Sequence, residues 1–152
     1  MRRYGEAPVA GQRYVLRPGV YAVLPKGDGV LLTVQAGPDP ELELPGGGVD
    51  PGEQPVRALH REVLEETGWT IARPRRMGAF RRFVWMPEYR IWAEKVCTIY
   101  LAYPVRPVGP PLEAEHLPVV LPLREAAAVL GEQFSGGFVR ALARSEFHRK
   151  NR

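Results

Sequence analysis

An acidic segment from Gly47 to Trp69 carries the clearest chemical signal in the sequence, GGVDPGEQPVRALHREVLEETGW. On an α-helix, which advances about 100° per residue, Glu62 and Glu66 lie one turn apart and about 40° from each other. Like charges at this spacing destabilise a helix by roughly 0.2–0.5 kcal/mol. A divalent cation between them would reverse that penalty, and clustered carboxylate oxygens are ligands that Mg²⁺ or Mn²⁺ accepts.

Other charged residues of the segment have less definite roles. Glu65 projects further from the apolar side of the helix, so helix geometry alone favours it less as a ligand. Arg61 precedes Glu65 by one helical turn and could pair with it, or could reach back to Glu53 in the preceding loop. The sequence leaves both pairings open. An isolated acidic triplet such as Glu62, Glu65 and Glu66 is more often the solvated face of a surface helix.

The context of the triplet changes that interpretation, because the whole segment resembles the Nudix box. That motif is a Gly, five residues, a Glu, seven residues, Arg-Glu, an apolar residue, one residue, Glu-Glu, one residue, Gly and a bulky apolar residue. The chain matches it without gaps at Gly47, Glu53, Arg61, Glu62, Val63, Glu65, Glu66, Gly68 and Trp69. Trp69 departs mildly, since a smaller aliphatic residue is more usual there.

The resemblance implies an α/β fold in which a mixed β-sheet is sandwiched between α-helices and the box forms a loop, a helix and a loop. It also implies that Glu62 and Glu66 are the central metal ligands, that Glu65 and Glu53 assist them, and that Arg61 orients the carboxylates. The backbone of the glycine run around Gly47 would pass close to the ion, where a Cβ would obstruct it. The expected cofactor is Mg²⁺, with Mn²⁺ as an alternative.

The reaction implied by the resemblance is attack of water on a phosphorus atom, without a covalent enzyme intermediate. The general base in such enzymes is a Glu of the box or of a later loop. Glu115 is favoured here, Glu113 is the other candidate after the proline-rich segment, and Glu62 could also serve.

The favoured substrate is a nucleoside or deoxynucleoside triphosphate, including oxidised ones, which would be cleaved to a monophosphate and pyrophosphate. Dinucleoside polyphosphates, ADP-ribose or other nucleotide sugars, and RNA 5′ ends are alternatives, because the box determines the reaction and not the substrate. A nucleotide sensor of the same fold without turnover is a further alternative, although such sensors usually lack some of the box glutamates.

A second group of residues combines aromatic rings with positive charge. Trp85 and Tyr89 lie near Arg82, so a base could stack on a ring while the guanidinium meets a phosphate. Packing within the core or a loop is the more common role of such aromatic side chains.

The elements that must position these residues follow from hydrophobic periodicity. Apolar residues spaced three and four apart, with Pro55 in the first turn and Gly68 after the end, predict a helix over Pro55 to Thr67. Apolar runs rich in β-branched residues predict the strands. These are Val15 to Leu24 and Val30 to Gln35 as a hairpin around Pro25 to Gly29, then Glu41 to Leu44, Ala79 to Trp85, Ile91 to Tyr103 and Val119 to Leu123.

The remaining segments complete the predicted organisation. Pro104 to Pro111 holds four prolines and should be an extended loop. Two helices should follow, at Arg124 to Leu130 and at Gly136 to Phe147 with Ser135 as N-cap. A chain of 152 residues suits one domain over 1–152, with flexible ends at 1–12 and 148–152.

Composition indicates which ligands, partners and cellular location to expect. The net charge of +4 and the pI near 9.5 favour anionic ligands. The sequence contains no apolar stretch of the roughly 18–20 residues that a membrane span needs and no signal peptide, so no membrane partner is expected. The single cysteine, Cys97, suits a reducing compartment, which predicts a cytoplasmic location. Nucleic acid is not expected as a partner beyond RNA 5′ ends, and a homodimer is possible through a strand edge or the C-terminal helix.

Overall fold

A computed structural model describes residues 1–131 and 136–150 of the chain. The strands within these residues are Arg2–Arg3 (β1), Val15–Val23 (β2), Pro25–Lys26 (β3), Gly29–Gln35 (β4), Glu41–Glu43 (β5), Gly46–Gly48 (β6), Trp69–Met86 (β7), Ile91–Pro107 (β8) and His116–Pro122 (β9). The helices are Pro55–Thr67 (α1), Leu123–Leu130 (α2) and Gly136–Lys150 (α3).

The strands form two sheets. The larger has the order β1-β7-β8-β2-β6 and is mixed, because β1 with β7 and β2 with β8 are parallel while β7 with β8 and β2 with β6 are antiparallel. The smaller is antiparallel and is built around β4, which pairs with β3, β5 and β9. The mixed sheet and the α/β class agree with the sequence-based prediction.

Helices cover both faces of the sheets, and the alternation of side chains along β2 shows how. Val20 and Ala22 point into a cluster that contains Leu59 and Val63 of α1. Val23 points into the other cluster, which contains residues of α2 and α3. Because successive strand residues face opposite sides, strands buried on both faces are apolar throughout. The sandwich between helices is therefore confirmed.

The predicted hairpin of Val15 to Leu24 with Val30 to Gln35 forms only next to its turn, where the Leu31 N–H donates to the Leu24 carbonyl at 2.8 Å. The ladder of β2 is shared with β8 and β6, so its backbone groups are already paired there. The turn joins the two-residue strand β3 to the start of β4 instead, with Pro25 opposite Val30 and Lys26 opposite Gly29.

Strands β7 and β8 are longer than the sequence predicts. The missed part of β7, before Ala79, contains register shifts and Arg73 with a positive φ of 53°, and these irregularities disrupt the alternation of side chains. The predicted loop from Pro104 begins inside β8, which extends to Pro107. Beyond Leu101, β8 has lost β2 as a neighbour, so a proline without an N–H is tolerated on the open side.

The ends of the chain are partly ordered into elements. Arg2 and Arg3, in a segment predicted to be flexible, form β1 beside β7, and the ring of Tyr4 meets the edge of Phe80 at 5.3 Å between centroids. Helix α3 continues past Phe147 to Lys150, while the predicted N-cap Ser135 lies outside the described residues. Among the helices described, none is long and apolar enough to cross a membrane.

Candidate active site

Helix α1 carries the acidic residues and has the bounds that the sequence predicts. Pro55 occupies its first turn, and Gly68 ends it in the left-handed conformation at φ 76°, where its N–H donates to the Leu64 carbonyl. Leu59 and Val63 are fully buried, whereas Val56 is 39% exposed. The buried side anchors α1 on β2, Glu62 and Glu66 lie along the edge of that side, and Arg61 and Glu65 lie further round the helix.

Arg61 holds three glutamates together. Its Nε and Nη2 donate to the two carboxylate oxygens of Glu53 at 2.8 and 2.9 Å, and Nη2 also donates to the Gly48 carbonyl at 3.0 Å. Its Nη1 donates to Glu62 at 2.9 Å and to Glu65 at 3.3 Å. Both pairings left open by the sequence therefore occur, and the one with Glu53 is bidentate.

The contact with Arg61 fixes the charge of Glu53. Hydrogen bonds from Arg61 and from the Asp50 backbone N–H lower the pKa of Glu53 to about 2. The same contact raises the pKa of Arg61. Glu53 N–H donates in turn to the Asp50 carbonyl at 2.9 Å, which closes the loop before α1. Both charges of this pair are thus present across the range of pH in which proteins work.

Glu66 lies in a different environment. It is 5% exposed, and its Oε2 is buried without a hydrogen-bond partner among the described residues. Burial, then the charges of Glu62 and Glu43, raise the pKa of Glu66 to about 9, against a hydrogen bond from the Gly46 backbone. Burial also raises the pKa of Glu62, opposed by its bond to Arg61. Two carboxyls one helical turn apart are both held where their negative charge is unfavourable.

Gly47 makes room for Glu62. Strand β6 pairs with β2 beside the start of α1, with Gly47 opposite Val20, so the glycine run forms a strand and not the predicted loop. A Cβ on Gly47 would come within 2.5 Å of the Glu62 carboxylate. A side chain at this position would therefore displace the carboxylate.

A turn before β9 brings Glu113 to the acidic face of α1. The Glu113 N–H donates to the Glu65 carbonyl at 3.1 Å. One oxygen of Glu113 belongs to a cluster with Glu62 and Glu65, and Glu113 also clusters with Glu66 and His116, with all ligand atoms in each group within 4.8 Å. Glu115 is exposed and belongs to neither cluster. The geometry thus favours Glu113 over Glu115 as the candidate base.

His116 is a site residue that the sequence did not reveal. It is 7% exposed, its Nε2 lies 3.2 Å from Glu113 Oε2, and its Nδ1 lies 3.7 Å from Glu66 Oε2. The contact with Glu66 left no signal in the residue spacing, since Glu66 is far from His116 along the chain.

The arrangement fits a hard divalent cation. Its donors are carboxylate oxygens, one of them buried without a hydrogen-bond partner in the described structure, and a glycine replaces the side chain that would crowd Glu62. Oxygen donors of this kind suit Mg²⁺ or Mn²⁺. The candidate ligands are therefore Glu62, Glu66, Glu65 and Glu113, with Glu53 and the Gly47 backbone beside them.

A cavity of about 630 Å³ opens next to this cluster. Glu53, Glu62 and Tyr89 line it together with the cations of Arg17 and Lys95. The Arg17 guanidinium lies over the Tyr89 ring at 4.5 Å from the centroid. Tyr89 is thus the one of the three predicted substrate residues that shares this cavity with the acidic cluster, while Arg17 and Lys95 had no sequence signal.

The other two predicted substrate residues lie elsewhere. Arg82 lines a second cavity of about 620 Å³, which shares Tyr21 and Lys95 with the first and also reaches Gly46. Trp85 lines neither cavity; it is 47% exposed and packs against Trp92 at 5.5 Å between centroids. Arg82 and Trp85 are three residues apart on β7, so their side chains lie on opposite faces of the sheet.

Comparison with known sequences finds relatives that are named as a diphosphatase and as pyrophosphohydrolases. A protein of Bacillus subtilis (strain 168) named "Putative 8-oxo-dGTP diphosphatase" is 34% identical over 74 residues, which are 49% of this chain and 50% of that protein. An RNA pyrophosphohydrolase of Halorhodospira halophila (strain DSM 244 / SL1) is 35% identical over 75 residues, which are 49% of this chain and 40% of that protein. The chain thus matches half of the length of these relatives or less.

Solved structures and a family model extend the likeness over most of the chain. A NUDIX hydrolase from Nitrosomonas europaea has a TM-score of 0.67 at 20% identity, covering 91% of this chain and 92% of that one. The MutT protein from Methanosarcina mazei Go1 has a TM-score of 0.67 at 22% identity, covering 90% and 99%. The model described as NUDIX domain matches residues 15–142, so the chain belongs to the NUDIX family.

Proposed function

We propose that this protein is a pyrophosphohydrolase that uses a divalent cation and water to cleave a phosphoanhydride bond of a nucleotide. One observation carries the proposal: buried Glu66, Glu62 and Glu113 converge from a helix and a later turn, beside a cavity with cationic walls. A single domain over 1–152 is part of the proposal, supported by the family match to residues 15–142.

The proposed cofactor is Mg²⁺, with Mn²⁺ as an alternative, held by Glu62, Glu66 and Glu65. A bound cation of this kind withdraws charge from phosphate oxygens and lowers the pKa of water. Arg61 keeps Glu62 and Glu65 oriented through Nη1 and keeps the loop of Glu53 closed through its bidentate contact. Lys95 and Arg17 offer positive charge to the substrate phosphates in the cavity.

Glu113 is the proposed general base. It is half-buried, it belongs to both acidic clusters, and its backbone is tied to α1. A carboxylate held within reach of the reacting water can accept its proton. Glu115, which the sequence favoured, has an exposed side chain and lacks that position.

The proposed substrate is a nucleoside or deoxynucleoside triphosphate, oxidised ones included, cleaved to a monophosphate and pyrophosphate. A relative named for 8-oxo-dGTP supports it. RNA 5′ ends are the second candidate, because two relatives are named RNA pyrophosphohydrolases and the chain carries a net charge of +4. Tyr89, with its exposed ring beside the cavity, is the proposed stacking residue.

The test is a panel of substrates with products identified. It includes the nucleoside triphosphates, 8-oxo-dGTP, dinucleoside polyphosphates, ADP-ribose and a triphosphorylated RNA, each with Mg²⁺, Mn²⁺ or EDTA. We expect a monophosphate and pyrophosphate from at least one triphosphate with Mg²⁺, and none with EDTA. Binding without turnover across the panel would indicate a sensor, and turnover in EDTA would contradict the cation requirement.

We also propose a cytoplasmic location and a homodimer as the setting of this activity. The buried free thiol of Cys97 is compatible with a reducing compartment. Strand β9 pairs only with β4 in the described structure and carries exposed Leu117 and Val120, which makes it a candidate dimer edge.

A further inference from the structure

The turn that carries Glu113 is fixed at several points. The Glu113 N–H donates to the Glu65 carbonyl at 3.1 Å, and the His116 N–H donates to the Glu113 carbonyl at 3.1 Å. Ala36 N–H donates to the Glu115 carbonyl at 2.7 Å, which ties the turn to the end of β4. The backbone of this turn is therefore set by both α1 and β4, and the Glu113 side chain needs its own support.

His116 provides that support from the buried side. Its Nε2 lies 3.2 Å from Glu113 Oε2, and its Nδ1 lies 3.0 Å from the hydroxyl of Thr33, which is fully buried on β4. Each ring nitrogen thus has a partner on a different element. Rotation of the imidazole would break the hydrogen bond with Thr33 and the contact with Glu113, and it would leave buried polar atoms unpaired.

The identities of the two partners select the ring form. A carboxylate can only accept, so the contact with Glu113 requires a hydrogen on Nε2. The Thr33 hydroxyl can donate or accept and adapts to Nδ1. Glu66 Oε2, at 3.7 Å from Nδ1, is beyond hydrogen-bond distance and does not compete with Thr33 for this nitrogen.

We propose that His116 is a positioning residue for the hydrolysis: its Nε2–H holds the Glu113 carboxylate toward the acidic face of α1, and Thr33 holds the imidazole. The proposal rests on the proposed function, in which Glu113 is the base. His116 touches neither the water nor the substrate in this role. It acts by orienting Glu113, as the hydrogen-bond partners of ligating and reacting side chains generally do.

The test compares two substitutions of His116 whose side chains differ in length. The side-chain amide of His116→Gln places an N–H near the position of Nε2, whereas that of His116→Asn reaches only the position of Nδ1. We expect His116→Asn to lower kcat by about 10–100-fold with KM nearly unchanged, and His116→Gln to retain activity within about threefold of the native enzyme. His60→Gln, on the exposed face of α1, is the matched control.

A double substitution separates positioning from a merely structural role. Glu113→Gln removes the group on which His116 acts, so adding His116→Asn should change kcat by less than about twofold further. Independent effects that multiply would overturn the proposal. Equal activity of the Gln and Asn variants, a rise in KM or in the Mg²⁺ requirement at unchanged kcat, or a loss of kcat that follows the melting temperature would also overturn it.

The ring form is measured without turnover. In ¹⁵N-labelled protein, long-range ¹H–¹⁵N spectra show which imidazole nitrogens carry hydrogen, and the His116 signals are identified by their absence in His116→Gln. A hydrogen on Nε2 supports the contact, and the form with hydrogen on Nδ1 alone overturns it. If the native protein hydrolyses no substrate of the panel, the proposed function fails while the spectra still decide the contact.

Discussion

Glu53 and Glu66 lie at opposite ends of one acidic cluster and meet opposite environments. Two hydrogen bonds from Arg61 satisfy Glu53, and they lower its pKa to about 2. Glu66 is buried with Oε2 lacking a hydrogen-bond partner among the described residues, and burial raises its pKa to about 9. Both residues belong to the same motif, yet Glu53 is paired with Arg61 while Glu66 has an oxygen available to a cation.

The difference indicates that the two glutamates have different roles in the site. The end with Arg61 is complete by itself, because a bidentate guanidinium compensates the loss of solvation. The end with Glu66 lacks such a partner, so its charge becomes favourable only with a cation or a proton. The proposed site therefore gives structure and cation binding to different glutamates of one motif, Glu53 in the loop before α1 and Glu66 on α1.

The largest expected effect comes from Glu66→Gln, which removes the charge at the unpaired end. We expect kcat to fall by about 10²–10³-fold, because the buried amide cannot supply the negative charge that stabilises the cation. Steady-state kinetics with Mg²⁺ measure it, with the exposed helical Glu125→Gln as the control. Unchanged kcat in Glu66→Gln would show that the cation binds elsewhere.

A smaller effect is expected at the paired end from Arg61→Lys. Lysine keeps the charge but cannot form the bidentate contact, so Glu53, Glu62 and Glu65 lose their common partner. We expect kcat to fall about tenfold and the free energy of unfolding to fall by about 1–2 kcal/mol. Urea denaturation and kinetics test this against Arg57→Lys on the exposed face of α1, and equal behaviour of the two variants would contradict it.

The smallest effect is a shift of melting temperature with Mg²⁺. The pKa of Glu66 is raised in the fold from 4.5 to about 9, so this carboxyl favours folding at low pH, and that contribution is lost as pH rises from 4.5 through 9. Mg²⁺ competes with the proton, so its stabilisation should be larger at about pH 8.5 than at about pH 6. We expect a gain of about 3–6 °C at the higher pH.

Glu66→Gln is the control for this measurement. It should remove most of the Mg²⁺ shift and flatten the dependence of the melting temperature on pH in EDTA. If Mg²⁺ raised the melting temperature equally in Glu66→Gln and in the native protein, the proposal that Glu66 binds the cation would be contradicted.

Features with local causes were predictable from the sequence. Helix α1 has its predicted bounds because Pro55, Gly68 and the spacing of Leu59 and Val63 act within a few residues. The stacking of Glu62 and Glu66 follows from the same helix geometry. The order of strands was not predictable, since β2 pairs with β8, whose residues come much later in the chain.

The sequence by itself determined the acidic helix, its glutamates and the family they indicate, because periodicity and motif spacing are properties of neighbouring residues. Tertiary structure alone decided that Glu113 and not Glu115 meets α1, that His116 lies between Thr33 and Glu113, and that Tyr89 shares a cavity with Glu53 while Trp85 does not. These contacts depend on how a turn and two sheets pack against α1. The free energy of that packing is shared by the whole core, so no local pattern records it.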